Sequence, residues 1–444
     1  MDRTLSAADT ELLRKDFSAN PAYRIAQNAV TRTSVDDVAL NHEVIAALDH
    51  SMSTSLDVWK VTNQERSGRC WLFAGLNLLR VGAMNKMGLK DFEFSQNWAM
   101  FWDKIERANY FLEAIIETAG SDIDDRTVKH LLKSGVAEDG GQWNMFVAIV
   151  RKHGLVPKSV MPETQSSSNT NRMNSVLRTL LRQGAQSLRA TVTASGADAA
   201  RDEKAEILKV VYRVLCIHLG TPPDRFDWQW TDKDRKFHRD GVLTPQEFAA
   251  KYVDLPLDDY VCLVHDPRPS SPAGRTFTVN YLGNVLGAPP VTYLNVGISL
   301  LKDIAAKTIE GGEPVWFGCD VMPEMSSEFG VWDVGLYDVA PIYDTAFTLT
   351  KSERLLLGET EMTHAMLFTG VDVLDGQTRR WRVENSWGSD KGKDGFYTMH
   401  DSWFDEYVFE IAARKDSLPE ELRQALSAEP VVLPAWDPMG ALAC

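Results

Sequence analysis

The stretch NQERSGRCWLFAGLNLLR, residues 63–80, changes character at a single position. Polar and small residues run up to Arg69, and from Cys70 the chain is almost unbroken in its apolar character. A helix that is apolar on every side has to be buried, so residues 71–87 are expected to form a long internal helix against which the rest packs. The boundary sets a thiol on that helix's first turn, where unsatisfied N–H groups and the macrodipole favour thiolate over thiol. Most free cysteines are inert core residues. Gln64 turns the reading toward chemistry: a carboxamide just ahead of the helix can donate to a developing oxyanion, with the backbone N–H of Cys70 as second donor.

Helical patterns continue at residues 6–18, with Ser6 or Asp9 as cap, and at 95–118 and 142–153. Between 160 and 310 the texture turns polar and mixed, with a charged helical tract at 172–216, the turn-rich TPPDRFDWQWTDKDRKFHRDG and a short helix in VLTPQEFAAKYV. From about 311 the period falls to two in VWFGCDV, HAMLFTGVDV and RRWRVENSW, with LDGQT joining the last two as a hairpin. Residues 417–428 read as a helix capped by Ser417 and Glu420. The proline-broken EPVVLPAWDPMGALAC is expected to be irregular. Helices followed by a strand-rich part make an α+β chain.

A chain of 444 residues with a formal net charge of −15 is a poor match for a phosphate backbone. Five cysteines at wide spacings, with no CxxC pair, argue against a disulfide framework or a zinc–thiolate site. HExxH, phosphate-loop and dinucleotide fingerprints are lacking, so no metal and no cofactor is expected. Neither a signal-peptide core nor an apolar run near 18 residues is found. The expectation is a soluble, cytoplasmic protein.

A cysteine nucleophile needs a base and something to orient it. Of nine histidines, His364 stands apart, at the mouth of the strand in MTHAMLFTGV. The other hairpin arm ends at Asn385, and a turn centred on Gly376 would bring the two ends side by side. Asn385 could then accept from one ring N–H and fix the tautomer, leaving the other nitrogen to face Cys70. Trp387 could cover that bond from water.

Together these residues resemble the papain-like cysteine peptidases: SGRCW keeps the Gly-x-Cys-Trp core of the family's nucleophile signature, with Ser67 where the family has an upstream cysteine. His364 falls well beyond the roughly 130–150 residues usual between nucleophile and base, so about 150 residues are inserted. That insertion, with NQERSGRCW, FSQNWAMFWDKIERANYFLE, DGGQW, PETQSSSNTNRMN, YLGNV, MTHAMLFTGV, VENSWG and LPAWDPMGALA, is similar to the bleomycin hydrolase and aminopeptidase C branch. The resemblance implies a papain-like fold, a helical lobe plus a barrel-like β lobe, with a large, mostly helical insertion. It divides the chain into an N-terminal helical segment packing on the catalytic core (1–60), a helical lobe with the nucleophile (61–160), an inserted oligomerisation region (161–310), a β-rich lobe with His364 and Asn385 (311–416), and a C-terminal helix and tail in the active-site cleft (417–444). It gives Gln64, Cys70, His364 and Asn385 the oxyanion, nucleophile, base and orienting positions.

By the same resemblance the tail turns an endopeptidase into an exopeptidase, and a terminal carboxylate pairs with the substrate's ammonium. Ala443 and Cys444 are the candidate residues, and Cys444, one residue past the family-like MGALA, is expected to be trimmed by the enzyme itself. Only 69 residues precede Cys70, which leaves no room for a long pro-segment, and a hexamer enclosing its sites would restrain the activity instead. The implied activity is release of N-terminal residues from short peptides with a free N-terminus. Hydrolysis of a thiolactone or of bleomycin's amide would use the same residues and stays open. The alternative of another class is a nucleic-acid-binding assembly using KDRKFHR, residues 233–239, but Asp232, Asp234 and Asp240 flank or interrupt that run.

Overall fold

A computed structural model of the chain describes residues 4–56 and 59–443. Its centre is the helix Cys70–Met87, which buries its residues from Cys70 to Arg80 without a break and ends at Gly88 in the left-handed conformation, φ 62°. The helices Gln96–Glu117 and Trp143–His153 pack around it, all three contributing to one large apolar cluster. A second cluster, built around Phe317, Phe368, Trp381, Trp403 and Phe404, fills the strand-rich half. Helices and one large sheet share the core, as the α+β expectation required.

Among the described residues, twelve strands join in that sheet. The strand His364–Leu374 pairs antiparallel with Val315–Cys319 on one side and with Gln377–Glu384 on the other. It is buried from His364 through Asp372 and packs against the Cys70 helix. The hairpin closes with Leu374 opposite Gln377 through Asp375 and Gly376, whose φ values of 51° and 77° both lie in the left-handed region. Such a two-residue turn matches the twist of the flanking strands, so the Asp-Gly pair sets the register that returns the chain to Asn385.

The helices Ala7–Ala19 and Pro21–Val30 bury no residue, and Leu12, Leu13 and Phe17 lie exposed; the Tyr23 hydroxyl reaches the Asp344 carboxylate at 2.8 Å. Ser6 and Asp9 do form a capping box at the start of the first helix. The strand Thr54–Ser55, in contrast, joins the sheet beside Val371 and Gly370. Residues 161–310 hold more helix than strand, and strands are interleaved with the helices. The helices Asn171–Ser195 and Ala197–Leu219 are followed by a hairpin, Phe226–Thr231 with Phe237–Leu243, and the strands Tyr260–Val264, Thr276–Val279 and Tyr293–Asn295 belong to the main sheet.

At the far end, Ser417 sits in a short 3-10 turn and bonds to the carbonyl of Arg414, so the helix Glu420–Ala425 starts from Pro419 with no side-chain cap. The segment expected to be irregular forms an edge strand, Val431–Leu433, parallel to Phe277–Val279, and then a 3-10 helix, Pro438–Ala443. Its prolines flank the strand rather than interrupt it, which a sheet edge tolerates.

Candidate active site

Cys70 is the first residue of its helix, and Arg69 at the N-cap makes no side-chain cap to the turn. Arg69 instead lies buried, with its fork on Glu163 at 2.8 and 3.0 Å and its Nε donating to the Ser67 hydroxyl at 2.9 Å. The helix start is thereby tied to residues 163–168 and keeps its own N–H groups for whatever stands before it. The loop at residues 139–141 closes on it from the other side. Gly68 donates its N–H to the Asp139 carboxylate at 3.2 Å, and the Trp71 indole donates to the Asp139 carbonyl at 2.7 Å. A side chain at Gly141 would run into the Trp71 ring, its Cβ 2.4 Å from the nearest atom. Burial opposes the Asp139 charge, but Lys104 at 2.6 Å, with Thr170 and Asn174, holds that carboxyl well below the usual range.

Cys70 is 4% exposed, and its sulfur accepts the backbone N–H of Ala365, the residue after His364. The start of the strand His364–Leu374 and the start of the Cys70 helix therefore meet at the thiol. His364 Nε2 stands 3.0 Å from Asn385 Oδ1, which also accepts the Ser386 N–H at 2.7 Å. An amide oxygen can only accept, so Nε2 carries the proton and Nδ1 offers a lone pair. The Trp387 ring lies over the imidazole, centroids 5.1 Å apart at 39°. Gln64 is buried at the same seam. Its Nε2 donates to the Ser67 carbonyl, its Oε1 accepts the Ser386 hydroxyl, both at 2.6 Å, and its backbone N–H reaches the Ser386 carbonyl at 2.8 Å. One carboxamide proton is thus spent on orientation and the second is left.

Burial dominates the electrostatics of the pair. It pushes the Cys70 thiol up to about 11, against the lowering pull of the Ala365, Trp71 and Cys70 N–H groups. It pushes the His364 imidazole down to about 4, against the raising bond to Asn385. Burial thus works against the helix start and favours the neutral form of each group taken alone. Passing the thiol proton to His364 keeps the site's net charge at zero, so burial opposes the separated ions far less than it opposes either ion alone. A thiol seated on the N–H of the residue next to a base of fixed tautomer is an arrangement for nucleophilic attack on an acyl carbon.

Residues 435–443 occupy the space alongside. A Cβ on Gly140 would fall 2.2 Å from the Leu442 carbonyl oxygen, so the segment presses directly on the loop that brackets Cys70. The Met439 carbonyl accepts from Tyr293 at 3.0 Å and from Gln142 at 3.4 Å, and the Ala443 carbonyl accepts from Arg107 at 3.3 Å. Arg107 also donates to the Gly140 carbonyl at 2.6 Å. Ala443 is buried here; Cys444 lies outside the described residues.

Sequence reasoning brought Gln64, Cys70, His364, Asn385 and Trp387 into one place. It missed Asp139, Lys104 and Arg107, although the Asp-Gly-Gly of DGGQW carried a signal: two adjacent glycines mark a backbone that something approaches closely. In the basic run at 233–239, His238 stands on Asp232 at 2.7 Å and Arg239 on Asp227 at 2.6 Å. No helix among the described residues is long and apolar enough to cross a membrane.

Comparison with known proteins agrees with this geometry. The chain is 41% identical over 443 residues to an aminopeptidase C of Listeria innocua, covering 100% of both chains. It is 40% identical over 451 residues to a human bleomycin hydrolase, covering 99% of each. The crystal structure of PepW from Lactobacillus rhamnosis superposes with a TM-score of 0.97 at 42% identity over 99% of both chains. The model of the Peptidase C1-like family matches residues 4–440. A buried thiol seated on the residue next to an asparagine-oriented imidazole, in a chain that matches this family over nearly its whole length, leaves one conclusion: the protein belongs to the Peptidase C1-like family, on its aminopeptidase C and bleomycin hydrolase branch.

Proposed function

We propose that the protein is a cysteine aminopeptidase that removes N-terminal residues from short peptides through an acyl-enzyme. The observation that carries this is that the strand begun by His364 reaches the buried Cys70 sulfur through the Ala365 N–H, in a cleft partly filled by residues 435–443. His364 Nδ1 takes the Cys70 proton as sulfur attacks the scissile carbonyl carbon. The second Gln64 N–H and the Cys70 backbone N–H steady the oxyanion, and loss of one such donor typically costs about a hundredfold or more in rate. The C–N bond breaks as the imidazolium protonates the leaving amine. Water then gives a proton to His364 and attacks the thioester, releasing the acid and restoring the thiol. Asn385 holds the imidazole's orientation throughout, and Trp387 shields their bond.

The filled cleft supports exopeptidase action, because residues ahead of the scissile bond would collide with the chain beside Gly140. Aminopeptidase C and bleomycin hydrolase are the names of relatives at about this degree of identity, and bleomycin-type amide or thiolactone hydrolysis is a side activity open to the same groups. Self-association into a hexamer is supported by exposed apolar side chains, with Leu12, Phe17 and Ile25 on the first helices and Tyr343, Phe347 and Leu357 elsewhere. A cytoplasmic location completes the proposal.

The test is a panel of aminoacyl fluorogenic amides, each with its N-acetylated counterpart, run on the wild type and on Cys70→Ala. Turnover of the free-amine amides, lost in the variant, is expected. Full activity in Cys70→Ala, or equal turnover of acetylated substrates by the wild type, would overturn it.

A further inference from the structure

Residues 431–443 are held in several ways that differ in kind, burial of Met439, Leu442 and Ala443 in the large apolar cluster among them. The strand Val431–Leu433 is an edge pairing, and the Arg126 guanidinium lies 3.9 Å over the Trp436 ring. The carbonyls of Met439 and Ala443 each accept from side chains of the cleft. The remaining one is ionic: Arg268 Nη2 and Nη1 donate to the two carboxylate oxygens of Asp437 at 2.9 and 3.1 Å, with both residues buried. Charge-assisted bonds of this fork-to-fork kind are stronger and more directional than those to neutral carbonyls.

Arg268 has a second partner that does not belong to the segment. Its Nε and Nη2 also donate to Asp266, at distances between 2.7 and 3.1 Å. Asp266 is itself fixed by Asn295, which accepts the Asp266 N–H and donates to its carbonyl, both at 2.9 Å. The guanidinium is therefore aimed and neutralised whether or not Asp437 is present. A buried arginine left alone would be costly; this one is not left alone. Asp437 in turn does two jobs. Its Oδ1 accepts the Met439 N–H at 3.0 Å, starting the 3-10 turn Pro438–Ala443, while both oxygens engage Arg268.

We propose that Asp437 and Arg268 form the latch that keeps residues 435–443 in the cleft, and that they are thereby specificity-determining positioning residues, acting through the segment rather than on substrate. The proposal rests on the aminopeptidase reading above. With the latch engaged, the Leu442 carbonyl stays against Gly140 and substrate has room on one side of the scissile bond. With it broken, the segment leaves, and N-blocked or longer peptides enter.

Asp437→Asn separates the two jobs. The amide oxygen can still accept the Met439 N–H, while its NH2 group meets the Arg268 fork donor to donor. Arg268 keeps Asp266. The readout is kcat/KM on an aminoacyl amide and on its N-acetylated form, with limited proteolysis of residues 429–440 in parallel. The variant is expected to gain at least about tenfold on the acetylated substrate, to lose discrimination by about that factor, and to be nicked in the segment. A gained activity cannot come from misfolding. Arg268→Lys, which keeps the charge but not the fork, should fall between. An unchanged ratio, or an equal loss on both substrates in both variants, overturns the latch. If the wild type shows no preference for free amines, the aminopeptidase reading fails; protection of the segment, present in the wild type and lost in Asp437→Asn, still reads the latch by itself.

Discussion

Ala365 donates its backbone N–H to the sulfur of Cys70, so the residue next to His364 in the chain is the one that seats the thiol. One backbone bond joins the strand of the base to the helix of the nucleophile, so any shift of the strand His364–Leu374 is felt by both.

That coupling makes a pH profile informative. With the thiol pushed up to about 11 and the imidazole down to about 4, alkylation of Cys70 by iodoacetamide should hold a plateau across neutral pH and fall only as pH drops through about 4. His364→Asn should lose the plateau and react appreciably only as pH climbs toward about 11. An acid limb near the ordinary imidazole value of about 6.5 would contradict the burial argument. The stability sign follows. A folded pKa depressed from 6.5 means the unfolded chain binds the proton first, so this contribution is present above 6.5 and is lost as pH falls toward 4.

Gln64→Ala should lower kcat by about a hundredfold, or ~3 kcal/mol of barrier, with a smaller change in KM. The same carboxamide bonds to Ser67 and Ser386, so a loss of about 1–2 kcal/mol in unfolding free energy should accompany it. Gln64→Glu keeps an acceptor for Ser386 but sets a carboxylate oxygen against the Ser67 carbonyl, and should recover neither rate nor stability. Steady-state kinetics beside chemical denaturation separates the two.

Glu384 precedes Asn385 and is clamped by Trp59 at 2.6 Å, Asn77 at 2.9 Å and Arg80 at 2.8 Å. Asn77 and Arg80 lie on the Cys70 helix, so this carboxylate ties the end of the Asn385 strand to the helix of the nucleophile. Arg80 Nε and Nη1 have no other acceptor, and removal of Glu384 strands a buried cation. Glu384→Ala should cost roughly 3–5 kcal/mol of stability, measured by urea unfolding. Arg80→Met with Glu384→Leu should recover most of that while leaving kcat reduced.

Glu410 is fully buried in the strand Val408–Arg414, and burial pushes its carboxyl up to about 8, against the lowering contact with the Cys262 thiol. A raised carboxyl pKa means the folded chain holds a proton that the unfolded chain releases above its ordinary 4.5. Stability should therefore decline as pH rises from 4.5 toward 8. Glu410→Gln should match the wild type near pH 4.5 and exceed it at alkaline pH by a few kcal/mol, on the order of 1.4 per unit of pH difference. Thermal unfolding at both ends of that range checks it.

How much of this was legible in the sequence depended on whether the signal was local. The helix Cys70–Met87 announced itself through an unbroken apolar run, and Asp375–Gly376 through turn chemistry, so the meeting of His364 with Asn385 followed from one register. The capping box at Ser417 failed because Pro419, two residues on, starts the helix instead. The hairpin at 226–243 was hidden by its charge, although Phe226, Trp228 and Trp230 alternate as a strand should. The edge strand Val431–Leu433 could not be read locally, because its partner, Phe277–Val279, lies far away in the chain. Asp139 and Arg107 acquire meaning only from what reaches them across the fold.

Residues 435–443 and Cys70 belong to one polypeptide, and that sets how the cleft can be emptied. An occupant joined through the backbone competes at an effective concentration in the millimolar range or above. Dilution of the protein leaves that number untouched. A free ligand that needs the same volume must outbid a tethered neighbour, whereas a peptide content with the unfilled side meets no rival at all.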